Sequence, residues 1–158
     1  MTYLDRDITA EEVQVLFGGR PDSYDHIAEK FGEVIADATL GAYQGDNLYL
    51  LRDGDMWGVL VCGYGSCSGC DALEGCEGDE DVARLVNDLR GDVVWGSRAD
   101  ALAYVTSEWR GFSYYSDSPD GEAFWKECAA ALGCVEHDDC KSNAALAIAC
   151  AESREKAG

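Results

Sequence analysis

Proline, histidine and positive charge are all scarce in this chain of 158 residues. It contains only two Pro and two His, and its 12 Lys+Arg face 31 Asp+Glu, for a formal net charge of -19. This deficit of cations excludes a generic binder of nucleic acid, because affinity for the phosphate backbone comes mainly from cations that displace counterions. It also argues against attachment to an anionic membrane surface. No proline-rich or low-complexity linker divides the chain, so the sequence predicts one domain, residues 1–158.

A targeting segment and long apolar runs are lacking as well. The beginning of the chain, MTYLDRDITAEE, is acidic and has neither the basic nor the apolar part of a signal peptide. The longest late apolar run, Ala144–Ala151, is too short to span a bilayer. We therefore expect a cytoplasmic protein, in the host cytoplasm if a phage encodes it, whose eight Cys stay mostly reduced.

Hydrophobic patterning predicts an α+β fold, because helical spacing at both ends of the chain surrounds a β-rich middle. We expect an antiparallel β-meander of three to four strands, with one apolar face packed against several helices. The predicted order is N-terminal helices in 9–31, the meander in 34–62, a cysteine loop in 63–76 and a helical and β remainder in 79–156.

Local signals predict where these elements begin and end. Thr9 with Glu12 fits a capping box, and Pro21 is a suitable first residue for a second helix. The step Asp53-Gly54 between apolar runs predicts a hairpin turn. Further predicted elements are a fourth strand at Asp92–Trp95, a helix from Pro119 and a last, Ala-rich helix from about Asp139.

The most informative segment is Cys62–Cys76, CGYGSCSGCDALEGC, which is dense in Gly and Cys. The run Gly63–Leu73 resembles a motif in small proteins of actinobacteria and their phages, a family with no assigned activity. The likeness extends over Gly41–Trp109 and implies a bacterial or phage origin without transferring a catalytic role. Because phage accessory proteins often block or redirect a host factor, it also implies a protein partner.

The cysteines of this segment are candidate metal ligands. Cys62, Cys67, Cys70 and Cys76 give the string C-x4-C-x2-C-x5-C, which could close a zinc or iron–sulfur site within one loop. Alternatively, a site could be completed from a distance by a later set that recurs every three residues, namely Cys134, His137 and Cys140. The competing interpretation is that Cys62 is a buried strand residue, as free Cys often is.

Two catalytic chemistries stay open for the step Cys67-x2-Cys70. An apolar strand followed by C-x2-C resembles the active-site stretch of thioredoxin-like proteins, although a hairpin meander, not a βαβ unit, precedes it here. Gly65-x-Cys67-x-Gly69 has the outline of a nucleophile elbow, and Cys67-Ser68-Gly69 resembles the pattern of NlpC/P60-type cysteine peptidases, with His137 as a candidate base. The segment Cys62–Asp81 contains no Lys, Arg or His, and its carboxylates would raise a thiol pKa, which disfavours an enzyme.

Acidic and aromatic side chains supply a candidate surface. An array of carboxylates could imitate duplex DNA, although scattered acids that confer solubility are the simpler interpretation. Tyr114 and Tyr115 would point in opposite directions in a strand, so at least one of them is a candidate contact.

These observations favour a non-catalytic intracellular interaction protein that binds a protein partner through an acidic and aromatic surface and the cysteine loop. The partner would be a host factor or a basic nucleic-acid-binding protein, with no direct contact to nucleic acid or membrane. The alternatives are a zinc or iron–sulfur protein, and a thiol oxidoreductase or Cys hydrolase with Cys67 as nucleophile. The loop residues expected to contact the partner are Tyr64, Ser66, Ser68 and Asp71.

Overall fold

A computed structural model describes residues 3–133 of the chain. The strands are β1 (Glu33–Gly41), β2 (Gly45–Asp53), β3 (Met56–Tyr64) and β4 (Val94–Gly96). The helices are α1 (Ala10–Phe17), α2 (Tyr24–Ala28), α3 (Asp79–Asp92), α4 (Arg98–Glu108) and α5 (Pro119–Ala131). Within this part of the chain, no helix is both long and apolar enough to cross a membrane.

The four strands form one antiparallel sheet in the order β1-β2-β3-β4. The turn between β2 and β3 is at Asp53-Gly54, as predicted, and Gly54 has the positive φ of 61° that favours glycine. The short β4 pairs with the beginning of β3, where Trp57 faces Gly96. The prediction of an α+β fold with an antiparallel meander is confirmed.

Helices cover both faces of the sheet, although the sequence predicted one apolar face. In β2, Leu48 and Leu50 join a cluster with α4 and α5, whereas Tyr49 and Leu51 join a cluster with α1, α2 and α3. Alternate residues of a strand point to opposite faces, so an unbroken apolar run such as LYLL is buried on both sides. The result is three layers with the sheet in the middle.

Most predicted helix ends are confirmed. Glu12 accepts a hydrogen bond from the Thr9 N–H at 3.1 Å in a capping box, and α5 begins at Pro119. The prediction for Pro21 is wrong, because α2 begins only at Tyr24, with Ser23 as the N-terminal cap. The fourth strand is also shifted, since it runs from Val94 and not from Asp92.

The aromatic segment before α5 is divided between core and surface. Trp109 and Trp125 are buried and stack at 5.9 Å between ring centroids. Tyr114 and Tyr115 lie in a turn and not in the strand that their predicted opposite orientation assumed, and both are exposed. The predicted last helix from about Asp139 lies outside the described residues, as do Cys134, His137, Cys140 and Cys150.

Candidate functional site: the cysteine loop and the tyrosine patch

The cysteine loop continues from β3 and closes on itself at two glycines. A Cβ atom added to Gly65 would lie 2.7 Å from the Cys70 Sγ and closer still to the Cys70 carbonyl oxygen. A Cβ on Gly75 would lie 2.8 Å from the Ser68 carbonyl oxygen. Neither position admits a side chain unless the backbone moves, so these glycines allow the close contacts that hold Cys70 near the end of β3.

Asp71 is the buried centre of the cysteine loop. Its carboxylate accepts hydrogen bonds from the Tyr24 hydroxyl at 2.7 Å and from the N–H groups of Gly65 at 2.9 Å, Leu73 at 2.9 Å and Glu74 at 3.2 Å. Burial alone would raise the pKa of Asp71, but these donors outweigh burial and lower the pKa. Asp71 is only 8% exposed, so it supports the loop from within and does not offer a partner the contact that was predicted.

Two residues that precede the sheet in the sequence hold the cysteine loop in place through hydrogen bonds. The buried Tyr24, the first residue of α2, accepts a hydrogen bond from the Leu73 N–H at 3.1 Å while its own hydroxyl donates to Asp71. Arg20 donates to the Glu74 carbonyl oxygen at 3.1 Å. The loop conformation therefore depends on residues far away in the sequence.

Cys67 and Cys70 form an exposed pair of free thiols in the cysteine loop. Their Sγ atoms lie 2.7 Å apart, and the Cys67 N–H donates to the Cys70 Sγ at 3.1 Å. The Cys70 N–H donates to the Cys67 carbonyl oxygen at 3.0 Å, which closes a tight turn. When Cys70 is protonated, its S–H can also donate to that oxygen, at 3.3 Å. A disulfide bond is about 2.05 Å long, so only a small movement separates the two sulfurs from the distance at which an oxidant could link them.

Hydrogen-bond donors gather at the Cys70 sulfur. The pKa of Cys70 is lowered, first by the hydrogen bond from the Cys67 side chain and then, after an opposing effect of burial, by the Cys67 backbone and by Ser66. In the enzyme alternative, the sequence predicts Cys67 as the nucleophile. The arrangement of donors instead favours a thiolate at Cys70.

The other two thiols of the predicted metal set are in different surroundings. Cys62 belongs to β3 and is buried in the apolar cluster on the face covered by α1, α2 and α3, where burial raises its pKa to about 12. Cys76 is half-buried, its S–H donates to the Ala72 carbonyl oxygen at 3.3 Å, and burial raises its pKa. Within residues 3–133, no three His, Cys, Asp or Glu side chains are grouped so that they could hold a metal ion. The structure therefore does not assemble the predicted four-cysteine set.

A cleft of about 610 Å³ separates the cysteine loop from α3. Cys70 and Cys76 line one side of the cleft, and Arg84 and Asp88 line the other. Arg84 pairs with Asp81 at 3.4 Å. The fold thus places Arg84 beside the cysteine loop, which contains no cation of its own. The carboxylate of Asp81 partly neutralises that charge.

Within residues 3–133, neither the peptidase-like nor the thioredoxin-like arrangement has the groups that its chemistry needs. His26 is exposed on α2, and within residues 3–133 no imidazole is hydrogen-bonded to a cysteine. The candidate base His137 lies outside this range. An antiparallel meander precedes Cys67. The departure from the thioredoxin-like template that the sequence indicates is therefore present in the fold.

Tyrosines gather where the cysteine loop leaves the sheet. We define the tyrosine patch as Tyr43, Tyr64, Tyr114 and Tyr115. Tyr64, the last residue of β3, donates its hydroxyl to the Leu40 carbonyl oxygen at 3.0 Å, next to the turn that carries Tyr43. The rings of Tyr114 and Tyr115 meet edge to face, with centroids 5.4 Å apart. A Cβ on Gly41 would come within 3.0 Å of the Tyr115 ring, so this pair packs against the same turn.

The tyrosine patch is open to solvent. Tyr114 is 94% exposed, Tyr43 is 84% exposed and Tyr115 is 36% exposed. Ser66 and Ser68, two predicted contact residues of the cysteine loop, are also exposed, and Tyr64 is half-buried. The predicted loop and interface residues, other than Asp71, are therefore at least partly open to solvent.

Sequence reasoning missed several residues of this region. Tyr24 and Arg20 donate hydrogen bonds to the cysteine loop, and Arg84 lines the cleft beside it. Nothing in their local sequence indicates these roles. Tyr43 had a usable signal, because an aromatic residue in a short turn between two strands is held at the surface.

Comparisons with family models, with curated proteins and with solved structures give no match for the chain. The likeness of Gly63–Leu73 to a motif of actinobacterial and phage proteins stays a prediction. Any function proposed for the cysteine loop and the tyrosine patch must therefore rest on their own geometry and chemistry.

Proposed function

We propose that the protein acts by binding another protein, with the tyrosine patch and the exposed part of the cysteine loop as its contact surface. The observation that carries this proposal is the exposure of Tyr43 and Tyr114 beside a loop that internal hydrogen bonds hold in one conformation. Tyrosine is enriched at interfaces because it buries a large area and keeps a polar group for hydrogen bonding.

The order of the cysteine loop supports binding. Four hydrogen bonds to Asp71 restrain the loop before any partner arrives. A surface that is already ordered loses less conformational entropy on association, so more of its contact energy is available as affinity.

Charge indicates the chemistry of the partner. Exposed carboxylates continue from the cysteine loop into α3 at Glu74, Glu77 and Glu80, and the whole chain carries a formal charge of -19. Acidic surfaces speed association with basic ones and reject acidic ones. The partner that fits is a protein with a basic surface, for example one that binds nucleic acid. A role as a phage-type accessory protein in a host cytoplasm is consistent with this partner.

The test compares a variant of the tyrosine patch with a variant elsewhere on the surface. Proteins captured from a bacterial lysate are identified, purified and titrated against the wild-type chain, the double variant Tyr43→Ala/Tyr114→Ala and the control Val15→Ala. Val15 is 86% exposed on α1 and serves as the control for the loss of an exposed apolar side chain outside the tyrosine patch.

We expect the double variant to bind the purified partner about 10- to 100-fold more weakly, which corresponds to about 1.4–2.8 kcal/mol, and the control to stay within about twofold. Affinity should fall as salt increases, and duplex DNA should compete if the partner binds nucleic acid. Equal binding by the double variant and the wild type, or an acidic partner, would contradict the proposal.

A further inference from the structure

We infer that Cys67 and Cys70 form a thiol–disulfide exchange site in which Cys70 attacks a disulfide of a positively charged polypeptide and Cys67 releases the product. This inference concerns the chemistry of the cysteine loop and is independent of binding by the tyrosine patch.

Access and proximity are the first requirements of such a site, and the pair meets both. Cys67 and Cys70 are exposed, and their sulfurs are 2.7 Å apart in a turn closed by the bond from the Cys70 N–H to the Cys67 carbonyl oxygen. The next thiol along the loop, Cys76, is half-buried and donates its S–H to its own backbone turn. The geometry therefore selects one pair from the cysteines of the loop.

The hydrogen bonds assign different roles to the two sulfurs. A thiolate at Cys70 would accept the Cys67 N–H at 3.1 Å and the Cys67 S–H at 2.7 Å. These donors favour the ionised form of Cys70, in agreement with its lowered pKa. The charged and titratable side chains around the cleft beside Cys70 are Asp71, Cys76, Asp81, Arg84 and Asp88. Arg84 partly offsets the carboxylates, whose repulsion of an anion opposes ionisation.

The exchange can be written with its atoms and electrons balanced. The Cys70 thiolate attacks one sulfur of the substrate disulfide, a bond forms between Cys70 and that sulfur, and the other substrate sulfur leaves with the electron pair and takes a proton from water. Cys67 then gives its proton to water and attacks the Cys70 Sγ. The Cys67–Cys70 bond forms, the mixed disulfide breaks, and the second substrate thiolate leaves. The substrate gains two electrons, and the cysteine pair loses two.

The surroundings of Cys70 define the substrate class. The cleft of about 610 Å³ beside Cys70 has room for a polypeptide segment next to the attacking sulfur. Asp81 and Asp88 line it, and Arg84, the cation on that wall, is paired with Asp81. Since the whole chain also carries a formal charge of -19, a cationic disulfide is attracted and an anionic one is repelled.

The experiment uses two small disulfides of opposite charge on the full, reduced chain. Cystamine is the cationic probe and oxidised glutathione is the anionic probe. Rates are measured at low and high salt, normalised to the same reactions of a neutral model thiol, and the modified cysteines are mapped by peptide mass spectrometry. The variants are Cys67→Ala and Cys70→Ala, with Cys76→Ala as the matched control from the same cleft.

We expect wild-type protein to finish with a Cys67–Cys70 disulfide and no retained probe. Cys67→Ala should keep the probe on Cys70 as a stable mixed disulfide, Cys70→Ala should react at Cys67 at least about tenfold more slowly, and Cys76→Ala should behave as wild type. Cystamine should react about tenfold faster than oxidised glutathione at low salt, and salt should reduce the difference.

Three outcomes would overturn the inference. Failure of the wild-type chain to form the Cys67–Cys70 disulfide would remove the exchange site. Unchanged reaction at Cys67 in Cys70→Ala would reverse the roles of the two sulfurs. Equal normalised rates for the two probes at low salt would refute the substrate class. None of these results depends on Tyr43 or Tyr114, so the proposed binding function is tested separately.

Discussion

Two pairs of cysteines in this protein occupy opposite kinds of surroundings. Cys62 and Cys128 are buried in the clusters on the two faces of the sheet, with 4% and 0% of their surface exposed. Burial raises the pKa of each. Cys67 and Cys70 are exposed in a tight turn, and hydrogen bonds lower the pKa of Cys70. The residue type is the same, so the reactivity of each thiol is decided by what surrounds it.

The forces that hold the two pairs differ as well. Cys62 and Cys128 are held by apolar packing, which stabilises in proportion to the area removed from water. Cys67 and Cys70 are held by the hydrogen bonds of the cysteine loop, which depend on a buried carboxylate at Asp71. The two pairs should therefore respond to different perturbations.

The largest expected difference is in the rate of alkylation. Under native conditions at pH 8, iodoacetamide should modify Cys67 and Cys70 at least about a thousandfold faster than Cys62 and Cys128, because the buried thiols must wait for unfolding that costs several kcal/mol. Mass spectrometry of peptides from timed samples measures each rate. In denaturant all four should react alike, and comparable rates in the native protein would remove the distinction.

Removal of the Asp71 carboxylate should lower the stability of the protein through the hydrogen bonds of the cysteine loop. Asp71→Ala leaves the hydroxyl of Tyr24 and several loop N–H groups without their acceptor, so we expect a loss of about 2–4 kcal/mol of unfolding free energy. Denaturant titration measures this loss. Ser118→Ala, which removes the side-chain cap at the start of α5, is the control and should cost about 1 kcal/mol. A smaller effect for Asp71 than for Ser118 would contradict the central role of the carboxylate.

The sheet and its turns could be predicted from the sequence because their signals are local. The Asp53-Gly54 step and the runs rich in β-forming residues predict the meander, and the signals at Thr9 and Pro119 predict two helix starts. The prediction that α2 begins at Pro21 fails for a local reason too, because Ser23 is the residue at the N-cap of α2. The apolar run in β2 indicates a sheet covered on both faces, which the prediction of one apolar face does not include.

The internal structure of the cysteine loop could not be predicted in the same way. Its position after a strand and the exposure of Cys67 and Cys70 follow from Gly content and polarity. The acceptor role of Asp71 depends on the Tyr24 hydroxyl, which is 47 residues away in the chain. No periodicity or spacing rule connects the two residues. The sequence therefore predicts Asp71 as a contact residue, whereas its side chain is buried in the loop.

The smallest expected effect is on the pH dependence of stability. The folded-state pKa of Asp71 is lowered, so its contribution is complete above its ordinary unfolded pKa of about 3.9 and is lost as pH falls through the folded value. Between those two pKa values, the unfolding free energy of the wild type should fall more steeply with decreasing pH than that of Asp71→Asn. Denaturant titrations of both proteins across this range measure the slopes, and parallel curves would show that Asp71 does not titrate differently in the folded state.

The link between Tyr24 and Asp71 limits what a short stretch of sequence can specify. A synthetic peptide of residues 62–76 would keep every cysteine and glycine of the loop but would lack the hydroxyl that meets Asp71 and the guanidinium that meets Glu74. Such a peptide would sample many conformers, and its two sulfurs would meet only transiently. A similar run of eleven residues in an unrelated chain would therefore adopt the conformation of this loop only if that chain also supplied a tyrosine from outside the run.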